Sequence, residues 1–248
     1  MTIDTRSFLE SADLGDVTET FSALEGTALN LDQLPPAVVS GTTLIDFSQV
    51  PSLAVRAGVS QAMLFASRVA TKAMKSGDDE DDWLAAYTSN LAQLGFTISG
   101  SAVTTSTFKK TGVEVHKAII PFLTIAFGGA ALGPVILAGL QNLQTVNENA
   151  PWITLFDKET RRFEAQEMHF AAVSSTETDT VVRYAIARLH LASSVTSILF
   201  FKLSKTEAKF ESATKTMTAN NSFLALLEPE LRSKLAGLAT SFIAGADL

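Results

Sequence analysis

The chain has 248 residues, no cysteine, a net charge of −7 and a hydrophobic content of 46%. This length suits one large domain or two small ones, and we favour a single domain. The acidic balance argues against a nucleic-acid binder, because phosphate recognition depends on clustered Lys and Arg, and the sequence has no such cluster. The lack of cysteine excludes disulfide scaffolds, thiolate metal sites and cysteine catalysis.

The N-terminal segment is acidic and ends near a Pro-Pro pair. Residues 1–42 carry seven acidic residues against the single base Arg6. This pattern predicts an N-terminal extension over residues 1–42 and one domain over 43–248. The extension is either a solvated tail with a short helix around Phe21 or a removable pro-segment that masks the functional domain. No secretory signal is recognisable, which predicts a soluble protein released without a classical signal peptide.

Two helices follow a short predicted strand at 43–48. Apolar residues at helical spacing predict a helix over 53–75, which a glycine ends. Five acidic residues at 78–82 directly precede a second apolar repeat that extends to Leu94. Acidic side chains favour a helix start, because they complement the exposed N–H groups there. The alternative for the acidic run is a calcium loop, although the run lacks the spacing of an EF-hand.

The centre of the chain is its most apolar part. After a Ser/Thr-rich segment at 96–108 that predicts one or two strands, no charge occurs from 118 to 147. Breakers divide this stretch into predicted helices over 112–127 and 131–145. The stretch is a transmembrane helix, a buried helical hairpin, or a hairpin that leaves the core when lipid is present. The hairpin hinge is predicted at four residues: Gly128, Gly129, Gly133 and Pro134.

The C-terminal third changes to the period of a strand. Alternating residues predict long strands over 162–173, 180–191 and 197–210, followed by a helix over 224–243. Short turns between the strands make them antiparallel neighbours. The element order predicts an α/β fold, a three-layer sandwich with a central antiparallel sheet flanked by two helical hairpins.

Motifs of hydrolases, zinc proteases and phosphate loops do not occur in the sequence, so we expect neither an enzyme nor a cofactor. His116 is expected on a helix surface. His169 and His190 lie in adjacent predicted strands and can face each other, with Glu167 on the same face as His169. Ordinary polar positions in the sheet are the favoured interpretation; a metal site and a pH-dependent switch are the alternatives.

Three segments resemble the Cyt cytolytic δ-endotoxins in order, spacing and character. They are NLQTVNENAPWITLFDKET at 142–160, the strand-rich region at 180–216 with its Phe-Phe pair, and SQAMLFASRVATKA at 60–73. In that family an apolar helix ends in an Asn-Leu-rich turn and a Trp-Ile strand follows. Bacterial virulence factors of the Erwinia Evf type look like distant relatives of the same layout. The resemblance implies the three-layer sandwich and an action on lipid, in which helical layers move off the sheet.

We therefore expect a toxin or virulence factor that binds membrane lipids, self-associates into oligomers and perforates or perturbs the target-cell membrane. The alternative is a non-lytic protein of the same fold that binds a fatty acid or a partner. The candidates for membrane insertion are apolar residues of the C-terminal strands. They are Phe163, Phe170, Val182, Tyr184, Ile186, Ile198, Phe200, Phe201 and Phe210.

Overall fold

The structure is a computed structural model. It describes residues 3–15, 34–107, 112–129, 133–145, 150–160, 166–190, 195, 197–203, 209–235 and 241–242. The helices of these residues are α1 (Ile3–Ser11), α2 (Leu53–Ala73), α3 (Glu80–Gln93), α4 (Val115–Ala126), α5 (Pro134–Gln141), α6 (Pro151–Thr160) and α7 (Asn221–Lys234). A 3-10 turn, Leu143–Thr145, follows α5.

A seven-stranded sheet forms the middle layer. Its strands are β1 (Ala37–Ser40), β2 (Thr43–Gln49), β3 (Thr97–Thr107), β4 (Gln166–Ser175), β5 (Asp179–His190), β6 (Lys209–Asn220) and β7 (Ser241–Phe242). Their order across the sheet is β3-β6-β5-β4-β2-β1-β7. All neighbours are antiparallel except β2 and β4, which run parallel. The predicted antiparallel sheet therefore contains one parallel pair.

Each face of the sheet has its own hydrophobic core. Strand residues alternate between the faces, so that Ile45 and Tyr184 contribute to one core and Leu44 and Phe170 to the other. Helices α1, α2, α3 and α7 cover the first core, and α4, α5 and α6 cover the second. This arrangement confirms the predicted three-layer α/β sandwich, with the hairpin α2–α3 on one face and the hairpin α4–α5 on the other.

The prediction of a third long strand over 197–210 is wrong. Residues 198–200 form a turn, and strand β6 begins only at Lys209. The apolar side chains of Ile198 and Leu199 are buried in the second core, so this run packs beside α4 without joining the sheet. The Trp-Ile segment expected as a strand from the resemblance is also different, because it forms helix α6.

The N-terminal boundary at residue 42 is also wrong. Strand β1 lies within the predicted extension, yet it is buried and pairs with β2 and β7. Helix α1 packs on the first face: the rings of Phe8 and Phe65 lie 5.5 Å apart, and the Thr5 hydroxyl donates to the Gln93 carbonyl at 3.1 Å. The helix predicted around Phe21 lies outside the described residues.

The predicted C-terminal helix is shorter than expected. Helix α7 ends at Lys234, and residues 241–242 pair with β1 as the edge strand β7. The Asn220 side chain caps α7 by accepting from the N–H groups of Ser222 and Phe223. The cap explains why the helix begins directly after β6 with no connecting loop.

Candidate functional site

Two features of the fold have functional interest, and they lie on opposite faces of the sheet. The first is the apolar hairpin, which we define as α4, α5 and the turn between them. The second is a polar cluster of five side chains buried between the sheet and α3. We define this buried cluster as Thr42, Glu167, His169, Tyr184 and Arg188.

The apolar hairpin presents apolar side chains to solvent as well as to the core. On its inner side, Ile119, Leu123 and Phe127 are fully buried. On its outer side, Ile125 is 80% exposed and Phe122 is half-buried. A helix that is apolar all round normally belongs inside a protein or a membrane. An outer layer of this composition is therefore a candidate surface for contact with lipid.

A buried aspartate anchors the start of α5. The Asp46 carboxylate on β2 is 1% exposed and accepts hydrogen bonds from the N–H groups of Val135 at 2.7 Å and Ile136 at 3.1 Å. These groups belong to the first turn of α5, which has no side-chain cap from its own N-cap residue, Gly133. A negative charge at this position also stabilises the helix dipole. Asp46 thus acts as an N-cap supplied by the sheet.

The start of α4 is attached to the turn that replaces the predicted third strand. The N–H of Val115 donates to the Phe201 carbonyl at 2.9 Å, and the N–H of His116 donates to the Leu199 carbonyl at 3.1 Å. The His116 ring is fully buried, and its Nδ1 lies 2.7 Å from the same Leu199 oxygen. Because a carbonyl can only accept, Nδ1 carries the proton. The prediction that His116 is a surface residue is wrong.

The four predicted hinge residues lie at the end of α4 and at the start of α5, and two of them have close neighbours. Gly128, Gly129 and Gly133 have positive φ angles, and Pro134 occupies the first turn of α5. A Cβ at Gly128 would lie 2.7 Å from Nη1 of Arg183, and a Cβ at Gly133 would lie 2.6 Å from the Phe127 ring. Glycine is therefore required at 133 by close approach as well as by backbone conformation, whereas at Gly128 the end of the exposed Arg183 side chain can move aside and the positive φ is the constraint.

The buried cluster is a chain of hydrogen bonds around His169. Its Nε2 donates to Glu167 Oε1 at 2.8 Å, because a carboxylate can only accept. Its Nδ1 lies 2.5 Å from the Tyr184 hydroxyl and 3.1 Å from the Thr42 hydroxyl. With Nε2 protonated in the neutral ring, Nδ1 accepts from these hydroxyls. Each of these four side chains belongs to a residue less than 5% exposed.

Arg188 connects the buried cluster to the start of α3. Its Nε lies 3.5 Å from Glu167 Oε2, and its Nη1 donates to Asp81 Oδ1 at 2.6 Å. Burial alone would lower the pKa of Arg188, but the carboxylates of Glu167 and Asp81 outweigh it and raise the pKa. The predicted helix start is confirmed, since Asp79 and Asp82 form a capping box. Asp81 has the additional role of pairing with the sheet.

Aromatic rings complete the contact between α3 and the buried cluster. Trp83 stacks on Tyr87 with centroids 4.9 Å apart and lies 5.1 Å from the His169 ring. Tyr87 in turn lies 5.6 Å from Tyr184. Burial raises the pKa of both tyrosines, and the neighbouring Tyr87 and Glu167 raise that of Tyr184 further. Both phenols therefore stay neutral.

The hydroxyl, imidazole and carboxylate are arranged as in a catalytic relay. Because these side chains are buried beneath α3, we interpret them as contacts that hold α3 on the sheet. The shared face of Glu167 and His169 is as predicted. The proposed pairing of His169 with His190 is wrong, because His169 faces Ile186 and His190 pairs with Lys209. Among the described residues, no group of three or more His, Asp or Glu side chains could hold a metal ion.

The predicted insertion candidates are divided between the two faces of the sheet. Val182, Tyr184 and Ile186 belong to the first core, whereas Phe170 and Ile198 belong to the second. Phe200 and Phe201 are half-buried in the turn beside α4. Phe210 belongs to β6, but its side chain is not described, and Phe163 lies outside the described residues. The candidates whose side chains are described do not form one continuous apolar face.

Several residues that hold these features together are not recognisable from the sequence. Asp46 lies inside a short apolar strand, and no pattern in the sequence signals its contact with a helix start 89 residues away. Tyr87 lies within the apolar repeat that predicts α3, and nothing in that repeat signals its contact with Tyr184. The position of Arg188 on the face of Tyr184 did break the alternation of β5 and could have signalled a buried charge.

Over the described part of the chain, none of the helices combines the length and the apolar character needed to cross a bilayer. Comparison with protein-family models gives no match, and comparison with curated proteins gives none either.

Proposed function

We propose that the protein binds lipid bilayers through the outer face of the apolar hairpin and perturbs the membrane of a target cell, where it self-associates. The observation that carries this proposal is the exposure of Ile125, at 80%, on a layer with no charge from residue 118 to 147. Amphipathic and apolar helices enter the interfacial region of a bilayer with their apolar face. Transfer of one isoleucine side chain out of water contributes about 1.5–3 kcal/mol.

The anchors of the hairpin support a protein that is stable in water before it meets lipid. Asp46 holds the start of α5, and backbone bonds to the turn at 198–203 hold the start of α4. Binding through the outer face leaves both anchors in place. Residues 3–15 of the acidic segment pack on the opposite layer, against α3 and α7. Their position does not favour masking of the hairpin by those residues.

A liposome flotation assay tests the proposal with a matched pair of variants. Leu226 on α7 is 61% exposed and lies on the opposite layer, so it is a control of similar size and exposure. Ile125→Asp is expected to weaken partitioning into zwitterionic and anionic liposomes by at least about tenfold, because it removes apolar contact and adds a charge at the interface. Leu226→Asp is expected to change it by less than about twofold. Equal behaviour of the two variants would reject the hairpin as the binding surface.

Calcein release from the same liposomes then separates binding from perturbation. Release by the wild type that falls in parallel with the binding of Ile125→Asp supports a lytic protein. Binding with no release rejects the perturbing activity and retains the lipid-binding surface.

A second candidate function is the binding of a fatty acyl ligand without lysis. An open cleft of about 670 Å³ lies at one end of the sheet. Its lining is mixed: the apolar members are Pro51, Ala54, Val55 and Ala225, and the polar ones are Ser52, Ser175, Thr176, Glu177, Asn221 and Ser222. Its size falls in the usual range for small-molecule sites. Native mass spectrometry of the purified protein, before and after incubation with palmitate, tests this candidate. A stoichiometric mass increase supports it, and an unchanged mass at saturating palmitate rejects it.

A further inference from the structure

Strand β3 is a long edge of the sheet. It has eleven residues and pairs on one side with β6, and among the described strands it has no second neighbour. The opposite edge, β7, has only two residues. An edge strand presents a row of backbone N–H and C=O groups that can pair with another chain. The β3 edge therefore presents many more backbone groups to a partner strand than the β7 edge does.

The sequence of β3 lacks the usual protection of an exposed edge. Natural edge strands are protected by Lys, by Pro, by inward charges, by short length or by bulges. The segment TISGSAVTTST contains no charge and no proline. One bulge is present, since Gly100 has a φ of +79° and the register with β6 shifts between Ser99 and Ala102. Beyond the bulge, Ala102 to Thr107 continue as a regular ladder.

This regular part of β3 is suited to antiparallel pairing with itself. Two residues that lie opposite each other in an antiparallel pair point to the same face of the sheet. When a two-fold axis perpendicular to the sheet relates two copies of one strand, one residue must therefore lie opposite its own copy, beside the axis. For the ladder 102–107, the central positions are Thr104 and Thr105. An axis beside Thr104 places Val103 opposite Thr105 and Ala102 opposite Ser106. An axis beside Thr105 places Thr104 opposite Ser106 and Val103 opposite Thr107, so neither arrangement brings like charges together.

The charges that follow the strand favour the antiparallel direction. Lys109 and Lys110 follow β3 in the sequence after one intervening residue, Phe108. In a parallel pair the lysines of the two copies would be neighbours, and like charges opposite each other destabilise a sheet. In an antiparallel pair they belong to opposite ends of the interface.

We propose that β3 pairs with β3 of a second copy of this chain, about a two-fold axis beside Thr104 or Thr105, and joins the two sheets into one. This inference names the surface for the self-association included in the proposed function, and the pairing itself needs no lipid. Backbone groups of alternate residues in 102–107 point away from β6 and supply the hydrogen bonds between the copies.

Disulfide crosslinking tests the pairing directly, because the full-length chain has no cysteine of its own. Thr104→Cys and Thr105→Cys are prepared separately, with Ser76→Cys in the exposed α2–α3 connection as the control. Cysteines on the axis of an antiparallel pair lie within the distance that a disulfide requires. In lipid-free buffer under mild oxidation, at least one of the two strand variants is expected to crosslink about tenfold faster than the control, since pairing raises the effective thiol concentration.

A second pair of variants keeps the test independent of folding. Thr104→Lys and Thr105→Lys change adjacent positions of the strand, and each places like charges near the axis. A variant that keeps the wild-type circular dichroism is expected to shift sedimentation equilibrium towards the monomer, whereas Thr178→Lys in the β4–β5 turn leaves it unchanged. Crosslinking at the control rate, together with a monomer at every concentration reached by the wild type, would overturn the inference. Because both assays omit lipid, that outcome is separate from a failure of liposome binding.

Discussion

Replacement of Asp46 by alanine tests the anchor that holds the apolar hairpin on the sheet. In Asp46→Ala, the N–H groups of Val135 and Ile136 lose the carboxylate that accepts from both of them. Loss of a helix N-cap costs about 0.5–2 kcal/mol, and loss of a carboxylate at a partly buried helix start costs up to about 2 kcal/mol more. The two losses together amount to about 0.5–4 kcal/mol, and we expect a fall in the free energy of unfolding in the upper half of this range, because Asp46 is 1% exposed and accepts from two N–H groups.

Urea unfolding followed by circular dichroism measures this loss. Ser52→Ala is the matched control, because Ser52 is the N-cap of α2 and accepts one hydrogen bond from Val55 at 3.3 Å. That variant is expected to lose about 1 kcal/mol, as at an ordinary cap. Asp46→Asn keeps one acceptor oxygen without the charge and should lie between the other two. If Asp46→Ala costs no more than Ser52→Ala, the argument that the sheet supplies the cap of α5 is wrong.

Three further predictions concern the buried tyrosines, the buried ion pair and the hairpin turn. The only two tyrosines have raised pKa values, so above pH 10 the unfolded chain alone releases both phenolic protons. The free energy of unfolding is therefore complete below pH 10 and should fall above it by about 2.7 kcal/mol per pH unit. Tyrosinate absorbance at 295 nm near pH 10 in the folded protein would refute this. Arg188→Met should lower the free energy of unfolding, measured in urea, by about 3–5 kcal/mol, because it leaves Glu167 buried without its partner. Adding Glu167→Gln should restore part of the loss, and purely additive effects in the double variant would contradict the pairing. Gly133→Ala should lower the free energy of unfolding by about 2–4 kcal/mol, since its Cβ meets Phe127. Gly129→Ala, with open space around it, should lower it by about 1 kcal/mol, and equal losses in the two variants would reject the close-packing argument.

Much of the architecture could be predicted from local patterns in the sequence. Helical spacing located α2 and α3, and the acidic run located the start of α3, because caps and amphipathic periodicity depend on residues close in the chain. The division of the uncharged stretch into two helices followed from its glycines and prolines. The alternation of β4 and β5 also located two neighbouring strands of the sheet.

The wrong secondary-structure predictions concern segments whose local pattern is compatible with two different structures. The apolar run at 197–203 has the composition of a strand, but it packs against the start of α4 through Val115 and His116. Strand β1 has only four residues after a Pro-Pro pair, so its place in the sheet depends on partners in β2 and β7. Short apolar runs cannot be assigned from periodicity alone, because strands and buried turns share the same composition.

The contacts that define the candidate sites are long-range and polar. Asp46 reaches α5, and Arg188 reaches Asp81 across 107 residues. A single sequence carries no signal for the partner of such a residue, even where its position in a strand indicates burial, as that of Arg188 does. The shared face of Glu167 and His169 was predictable, since two residues in one strand are related by the period of the strand.

The most direct test of the account is the depth of position 125 in a lipid bilayer. The absence of cysteine allows a single environment-sensitive fluorophore, such as NBD, to be attached in Ile125→Cys and, as the control, in Leu226→Cys. With liposomes, the emission at position 125 is expected to shift to the blue and to be quenched by brominated acyl chains, while position 226 keeps its aqueous spectrum. An aqueous spectrum at position 125, in liposomes that bind the protein, would contradict the claim that the apolar hairpin contacts lipid.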